Sequence, residues 1–306
     1  MKFNFLKNIA VFLIASATSM GTWAVAPGGV TCSIINVGSL NTPYSVTTTG
    51  FTSQQINFDA SCTRSAKAGQ TSVTTTYTIK PEDNGAQPNV TQNRAKFGTA
   101  NFLNYDLYAD AACTTLWTGA SGSMVIATGT TTAVTHSAWG CINQAQIVAA
   151  GTYVDTVKLT LSGGSGSPSV EFASANDTLA TAALLPVSIL TPPSCSLNTP
   201  LNNINFGTYT AFGGALATSV NMNATCTSTF PYTMSIAAAN NYGVIAGLNY
   251  SLSFSNTSIT NSIPIVGTGS MQGTPLYAKM AAGQAGTCGT GTCAETSSAI
   301  TLTITY

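Results

Sequence analysis

The sequence predicts an all-β protein made of two tandem β-sandwich domains, the second lacking its last strand. Three observations carry this. Charge is scarce, at 6% of 306 residues, and Thr, Ser, Ala, Gly and Asn fill the space between apolar positions. Period-two alternation recurs along the chain, whereas helical periodicity is hard to find. The two cysteine-bounded halves repeat one another, and each is long enough to bury a core of its own.

The first segment reads as an export signal. Lys2 and Lys7 precede an apolar run from Ile9 to Ala15, and Thr22-Trp23-Ala24 offers a cleavage site. The run is too short for a membrane anchor, which needs about 20 apolar residues. Residues 1–24 are therefore expected to be removed, leaving 7 basic against 9 acidic residues and a net charge of −2. That balance argues against nucleic acid as a partner, because phosphate binding needs clustered Lys and Arg.

Eight cysteines in an exported chain favour disulfides over metal sites. Cys32 and Cys62 are 30 apart and Cys195 and Cys226 are 31 apart, each pair closing the first stretch of its half. Cys113 with Cys141 and Cys288 with Cys293 are the remaining proposed pairs. A loop of this length contributes about 3.6 kcal/mol in the chain-entropy description. A zinc reading is weak: Cys288 and Cys293 have no second ligand pair nearby, and His136 is the only histidine.

Three matches between the halves occur in the same order. Ile56-x-Phe58-x-Ala60-x-Cys62-Thr63 parallels Val220-x-Met222-x-Ala224-x-Cys226-Thr227, an alternation that places every second side chain on one sheet face. Leu103-Asn104-Tyr105-x-Leu107 returns as Leu248-Asn249-Tyr250-x-Leu252, and Gly122-Ser123-Met124 as Gly269-Ser270-Met271. The first half carries an extra 19 residues between about Arg64 and Ala100, including the turn-rich Pro81-Glu82-Asp83-Asn84-Gly85. Ser162 to Ser169 reads as a Gly/Ser loop. Part of Val170 to Ile189 reads as the first domain's own last strand, with its proline at an edge. The expected division is a first domain over 25–189, a linker over 190–194 and a second domain over 195–306.

The last strand, Thr301-Leu302-Thr303-Ile304-Thr305-Tyr306, resembles Thr156-Val157-Lys158-Leu159-Thr160-Leu161, which is followed by 33 more residues before the next cysteine. The second copy is thus read as missing a strand, with an open edge that a neighbouring chain must cover. A donor of such a strand needs about ten alternating residues. Val25 to Thr31, with Pro27, Gly28 and Gly29, makes a poor one, so the chain is expected to accept a strand without donating one.

The first half carries Leu103-Asn104-Tyr105-Asp106-Leu107-Tyr108-Ala109-Asp110, Trp117 and Gly151-Thr152-Tyr153-Val154-Asp155-Thr156-Val157. The second keeps the cysteine strand, Phe206-Gly207-x-Tyr209 and the terminal strand, and lacks the Gly-x-Tyr-x-Asp element. These motifs resemble the spore coat protein U domain family, which includes the secreted pilins of archaic chaperone-usher pili. The resemblance implies immunoglobulin-like sandwiches, and a groove completed by the neighbouring pilin's donor strand. It further implies a periplasmic chaperone and an outer-membrane usher as partners, and no cofactor. The groove is expected to be lined by Val220, Met222, Ala224, Ile300, Leu302, Ile304 and Tyr306. The resulting reading is a tip adhesin for surface attachment and biofilm formation. An adaptor or shaft pilin and a spore or cell coat protein are the alternatives.

The target of attachment is unknown from the sequence. In a seven-strand sandwich the distal loops lie opposite the linker, which nominates Arg64 and Lys67, the loop with Gly119, Ala120 and Ser121, and the run with Ser165 and Gly166. Arg64, Lys67, Arg94 and Lys96 could bind an acidic glycan, although isolated charges on loops are usually just solvated. Trp117, Trp139, Tyr105, Tyr108 and Tyr153 read as packing residues, and Asp106 and Asp155 as turn caps or backbone partners. His136-Ser137 lacks a Gly-x-Ser-x-Gly elbow, and no phosphate loop or dinucleotide fingerprint is present, so no catalytic role is assigned.

Overall fold

The computed structural model describes residues 29–47, 50–69, 71–82, 93–163, 170–172, 183–198, 203–207, 214–237, 242–287, 295–297 and 299–306, among which there is no α-helix. The first sandwich has two layers. One holds β1 (Val30–Ile35), β3 (Thr52–Arg64), β8 (Thr131–Ile142), β6 (Asn101–Tyr108) and β5 (Asn93–Phe97), in that order, with β10 (Val170–Phe172) parallel to β1 at its edge. The other holds β7 (Ala120–Ala127), β4 (Ser72–Glu82), β9 (Gly151–Gly163), β11 (Ala183–Thr191) and β2 (Leu40–Pro43). A single pairing, Lys96 with Val154, joins β5 to β9 and closes one side.

Alternation builds each layer. Along β11, Leu185, Val187 and Ile189 are buried while Leu184 and Leu190 face outward, as the period-two pleat requires. β11 runs antiparallel to β9, with Val187 opposite Asp155, and parallel to β2, with Val187 opposite Leu40. It extends to Thr191, two residues into the stretch read as linker. Phe58 packs against Trp117 with ring centroids 5.4 Å apart and stacks on His136 at 6.2 Å. Trp117, Tyr105 and Tyr153 are buried, and Trp139 is half-buried opposite Tyr108.

Prolines sit where a ladder has only one partner. In β4, pairing with β7 ends at Ile79, two residues before Pro81, and in β11, pairing with β2 begins at Val187, one residue after Pro186. β11 is flanked by strands on both sides, so Pro186 is accommodated by this local gap and not by an edge position.

Among the described residues, the second sandwich repeats the first without counterparts of β2, β10 and β11. β12 (Cys195–Leu197), β13 (Leu216–Cys226), β18 (Met271–Met280), β16 (Leu248–Ser253) and β15 (Tyr242–Ile245) follow the order of β1-β3-β8-β6-β5. Opposite them stand β17 (Ser262–Val266), β14 (Pro231–Ala237) and β19 (Thr301–Thr305), the counterparts of β7-β4-β9. The strand pairs Cys32 with Cys62 and Cys195 with Cys226 directly opposite one another, and disulfides join both pairs, as well as Cys113 and Cys141. Cys288 and Cys293 lie outside the described residues.

Two of the three sequence matches are structural equivalents: the cysteine strands β3 and β13, and the Leu-Asn-Tyr strands β6 and β16. The third is not. Gly122-Ser123-Met124 lies inside β7 and pairs with β4, whereas Met271 opens β18 and pairs with β13. A three-residue Gly/Ser match is too common in so Gly/Ser-rich a chain to mark equivalence. Between the sandwiches, Ser194 N–H donates to Thr227 Oγ1 at 2.9 Å, Thr227 N–H donates to Ser194 O at 2.9 Å, and Ser228 N–H donates to Val148 O at 3.1 Å.

Completeness shows in the cores. Among the described residues the first core has 28 buried members with 6 half-buried residues packed on it, and the second has 12 with 12. Leu185→Ala should therefore cost the first domain about 2–5 kcal/mol, and Leu302→Ala clearly less in the isolated chain, read from chemical denaturation. His136 is a second handle: its Nε2 lies 2.8 Å from the Tyr77 hydroxyl, and burial holds its pKa below the ordinary 6.5, only partly opposed by Asp59. The unfolded chain thus takes up the proton first on acidification. His136's contribution is full above pH 6.5 and is lost as pH falls toward the depressed folded value. His136→Gln should flatten that stability loss in denaturation midpoints measured from about pH 7.5 to about pH 5.

Candidate functional site: an open sheet edge

β19 pairs with β14 along one side only, with Ser235 opposite Thr303 and Ala237 opposite Thr301. Among the described residues no strand lies along its other side, the side on which β9 carries β11. The inward residues show the consequence: Val157 and Leu159 of β9 are buried, whereas Leu302 and Ile304 of β19, and Ile300 before it, are half-buried. Across the core stand Met222 and Ala224, buried, and Val220, half-buried. Ile204 and Phe206 pack at the same core. Tyr306 is 59% exposed beyond the end of the strand.

The groove is apolar and uncharged. From Cys195 onward only Lys279 and Glu295 carry charge, and Lys279 Nζ donates to the carbonyl of Asn256. Specific attraction here must come from apolar burial and the backbone groups of β19. Edges are normally blunted with proline or charge. The edge strand β17 has Pro264, but β19 reads Thr-Leu-Thr-Ile-Thr and has neither.

A feature that the sequence comparison missed supports both sandwiches. Gln146 Oε1 accepts from Asn104 N–H at 2.7 Å, and its Nε2 donates to the carbonyls of Asn104 and Asn143, each at 2.8 Å. Gln284 does the same at Asn249, accepting at 2.7 Å and donating at 2.9 Å, with Ala281 O at 3.2 Å. Both glutamines thus clamp the Asn of the Leu-Asn-Tyr motif from the loop after the long strand. The signal available was a Gln shortly after β8 and β18. In the same motif, Tyr105 OH donates to Asp155 Oδ2 at 2.7 Å and Tyr250 OH to Ser297 Oγ at 2.8 Å.

The end of the first domain away from the linker gathers Val30, Arg64 and the turn at Thr130. Lys67 is exposed there, and its N–H donates to Thr128 Oγ1 at 3.0 Å. Arg64 N–H donates to Thr130 O at 2.9 Å, and the Arg64 residue is only 3% exposed, which corrects its reading as a contact side chain: packing, not solvent, surrounds it. Gly119, Ala120 and Ser121 are not at this end either, because Ala120 pairs with Ile79 and Ser121 with Thr78, far along β4 from Ser72. Gly119 has φ of +132°, and a Cβ there would stand 2.3 Å from Ile79 O, so backbone approach explains the glycine. Ser165 and Gly166 lie outside the described residues. Thr128-Gly129-Thr130, which the sequence reading passed over, packs beside Arg64 to Lys67 instead. Asp110 accepts from Thr114 N–H at 3.1 Å and Thr115 N–H at 2.8 Å, fixing the loop that holds Cys113. Asp106 accepts from Asn93 N–H at 3.2 Å, and burial raises its pKa.

Among the described residues no group of three metal-ligating side chains occurs, and no helix is long and apolar enough to cross a membrane. No curated protein matches the sequence. Similar solved structures include the CsuC–CsuE chaperone–tip adhesion subunit pre-assembly complex from the archaic chaperone-usher Csu pili of Acinetobacter baumannii, at 17% identity over 90% of this chain and 100% of that one, with a TM-score of 0.45. The CupB6 tip adhesin from Pseudomonas aeruginosa is similar at 12% identity over 92% and 95%, with a TM-score of 0.36. The Spore Coat Protein U domain family matches residues 24–160, which run from β1 into β9 and include both cysteine pairs and the Leu-Asn-Tyr strand of the first sandwich. The likeness to this family thus falls on the first sandwich.

Proposed function

We propose that this chain is an exported, two-domain subunit of a chaperone-usher pilus, whose second sandwich is completed by a neighbouring subunit's donor strand and whose complete first sandwich attaches the fibre tip to a surface. The observation that carries the reading is the contrast between β9, covered by β11, and β19, whose corresponding edge has no partner among the described residues.

Direction supports it. β12 and the end of β13 adjoin the linker, and β19 runs toward that side, since Thr301 lies opposite Ala237 and Thr305 opposite Thr233. A strand antiparallel to β19 would leave on the side away from the first domain, placing the next subunit in line. Val30 to Ile35 are already paired with β3, and Val30 to Cys32 also with β10, so that stretch is engaged in its own sheet. Before assembly, a periplasmic chaperone would cover the same apolar groove, and an outer-membrane usher would exchange it for the donor. The role is one of binding and structure, not catalysis.

Ile304→Asp places an unpaired charge in the groove and should abolish incorporation into fibres and biofilm formation while leaving the unfolding of the first domain unchanged. Without a chaperone or donor peptide the purified chain should aggregate. Gold labelling should mark fibre ends; label spread along the shaft would reject the tip position, and normal assembly of Ile304→Asp would reject strand acceptance.

A further inference from the structure

We infer that the outward face of β5, β6, β9 and β4 in the first domain is a binding surface for an acidic polysaccharide, an extended polymer bearing carboxylates and hydroxyls. This goes beyond the assembly reading, because the face lies on the domain that is already complete.

The face concentrates charge in a chain that has little. Of the seven cations left after the export segment, four lie here: Arg94 and Lys96 on β5, Lys158 on β9 and Lys80 on β4. Their positions alternate with the buried Ala95, Val157, Leu159 and Ile79, so all four share the solvent side of the pleat. Register places them in a row. Lys96 stands opposite Val154, Glu82 opposite Lys158 and Lys80 opposite Thr160. From the level of residue 154 to that of 160 is about 20 Å at strand rise. A compact anion spans only a part of that, whereas an extended polymer lying along β9 meets every cation.

Phe102 positions two of them. It pairs with Lys96 across β5 and β6, and its ring centroid lies 5.2 Å from the Arg94 guanidinium carbon and 5.8 Å from Lys96 Nζ. Both heads are therefore held against one ring, which lowers the ordering cost when a polyanion arrives. Two acids moderate the face. Glu82 is paired with Lys158 at 3.0 Å, and Asp106 accepts from Asn93 N–H. Thr78, Thr156 and Thr160 interleave on the same side, giving hydroxyl partners for a sugar. The net charge of −2 and the moderating acids disfavour nucleic acid, which draws on denser Lys and Arg.

Polygalacturonate titrated onto the full exported chain, kept soluble by its chaperone or by a donor peptide and immobilised through an amino-terminal tag, tests this. Binding should weaken as salt rises, and neutral dextran should not bind. Lys96→Gln and Lys80→Gln should each lower affinity about twofold to fivefold, the range of one exposed ion pair. Phe102→Leu should lower it without changing charge, and Lys67→Gln, at the far end of the domain, should leave it unaltered, with thermal melting confirming that each variant is folded. No binding of polygalacturonate, an equal loss from Lys67→Gln, or equally tight binding of a single-stranded DNA oligomer would each overturn the inference.

Discussion

The edge of β19, which has no partner strand among the described residues, is the constraint on which the rest of this molecule depends. A strand edge offers a row of N–H and C=O groups, and in β19 that row borders an apolar core that stays half open. The first sandwich meets the same demand internally, because β11 covers β9 and β2 then covers β11. One chain therefore holds a closed and an open form of one design. The difference between them is where the proposed donor strand of a second molecule would lie.

Both forms rest on a shared device at the Leu-Asn-Tyr strand, β6 in the first sandwich and β16 in the second. Gln146 and Gln284 reach in from the loops after β8 and β18 to satisfy the backbone of Asn104 and Asn249, where no neighbouring strand does so. Such a clamp keeps the motif strand in place whether or not the other layer is complete. It lets the second sandwich keep its register while its core remains partly exposed, a property suited to a domain that waits for a partner. Two of the disulfides, Cys32–Cys62 and Cys195–Cys226, act in the same direction, tying the first strand of each sandwich to the strand beside it.

Surface chemistry divides between the two domains as well. The second is almost uncharged, in keeping with a groove closed by apolar and backbone contacts. The first carries most of the cations, and they gather on a sheet face and not at the loops of its far end. There, Arg64 is absorbed into packing, and Lys67 with the Thr128 to Thr130 turn forms a small polar surface. Large exposed apolar side chains such as Leu116, Val154 and Leu190 also lie away from that end.

Alternation, cysteine spacing and the Leu-Asn-Tyr repeat made the two-sandwich plan legible in the sequence, because period-two burial and local pairing are written directly in neighbouring residues. The similarity of the terminal strand to Thr156 to Leu161 likewise pointed to the open edge. Sequence alone did not show that Gly122-Ser123-Met124 and Gly269-Ser270-Met271 fall on different strands, that Arg64 is buried, or that Gln146 and Gln284 are equivalent. Those outcomes depend on which strands become neighbours. Cross-strand register brings together residues such as Lys96, Phe102, Val154 and Lys158 from distant parts of the chain, and only the tertiary structure assigns that register.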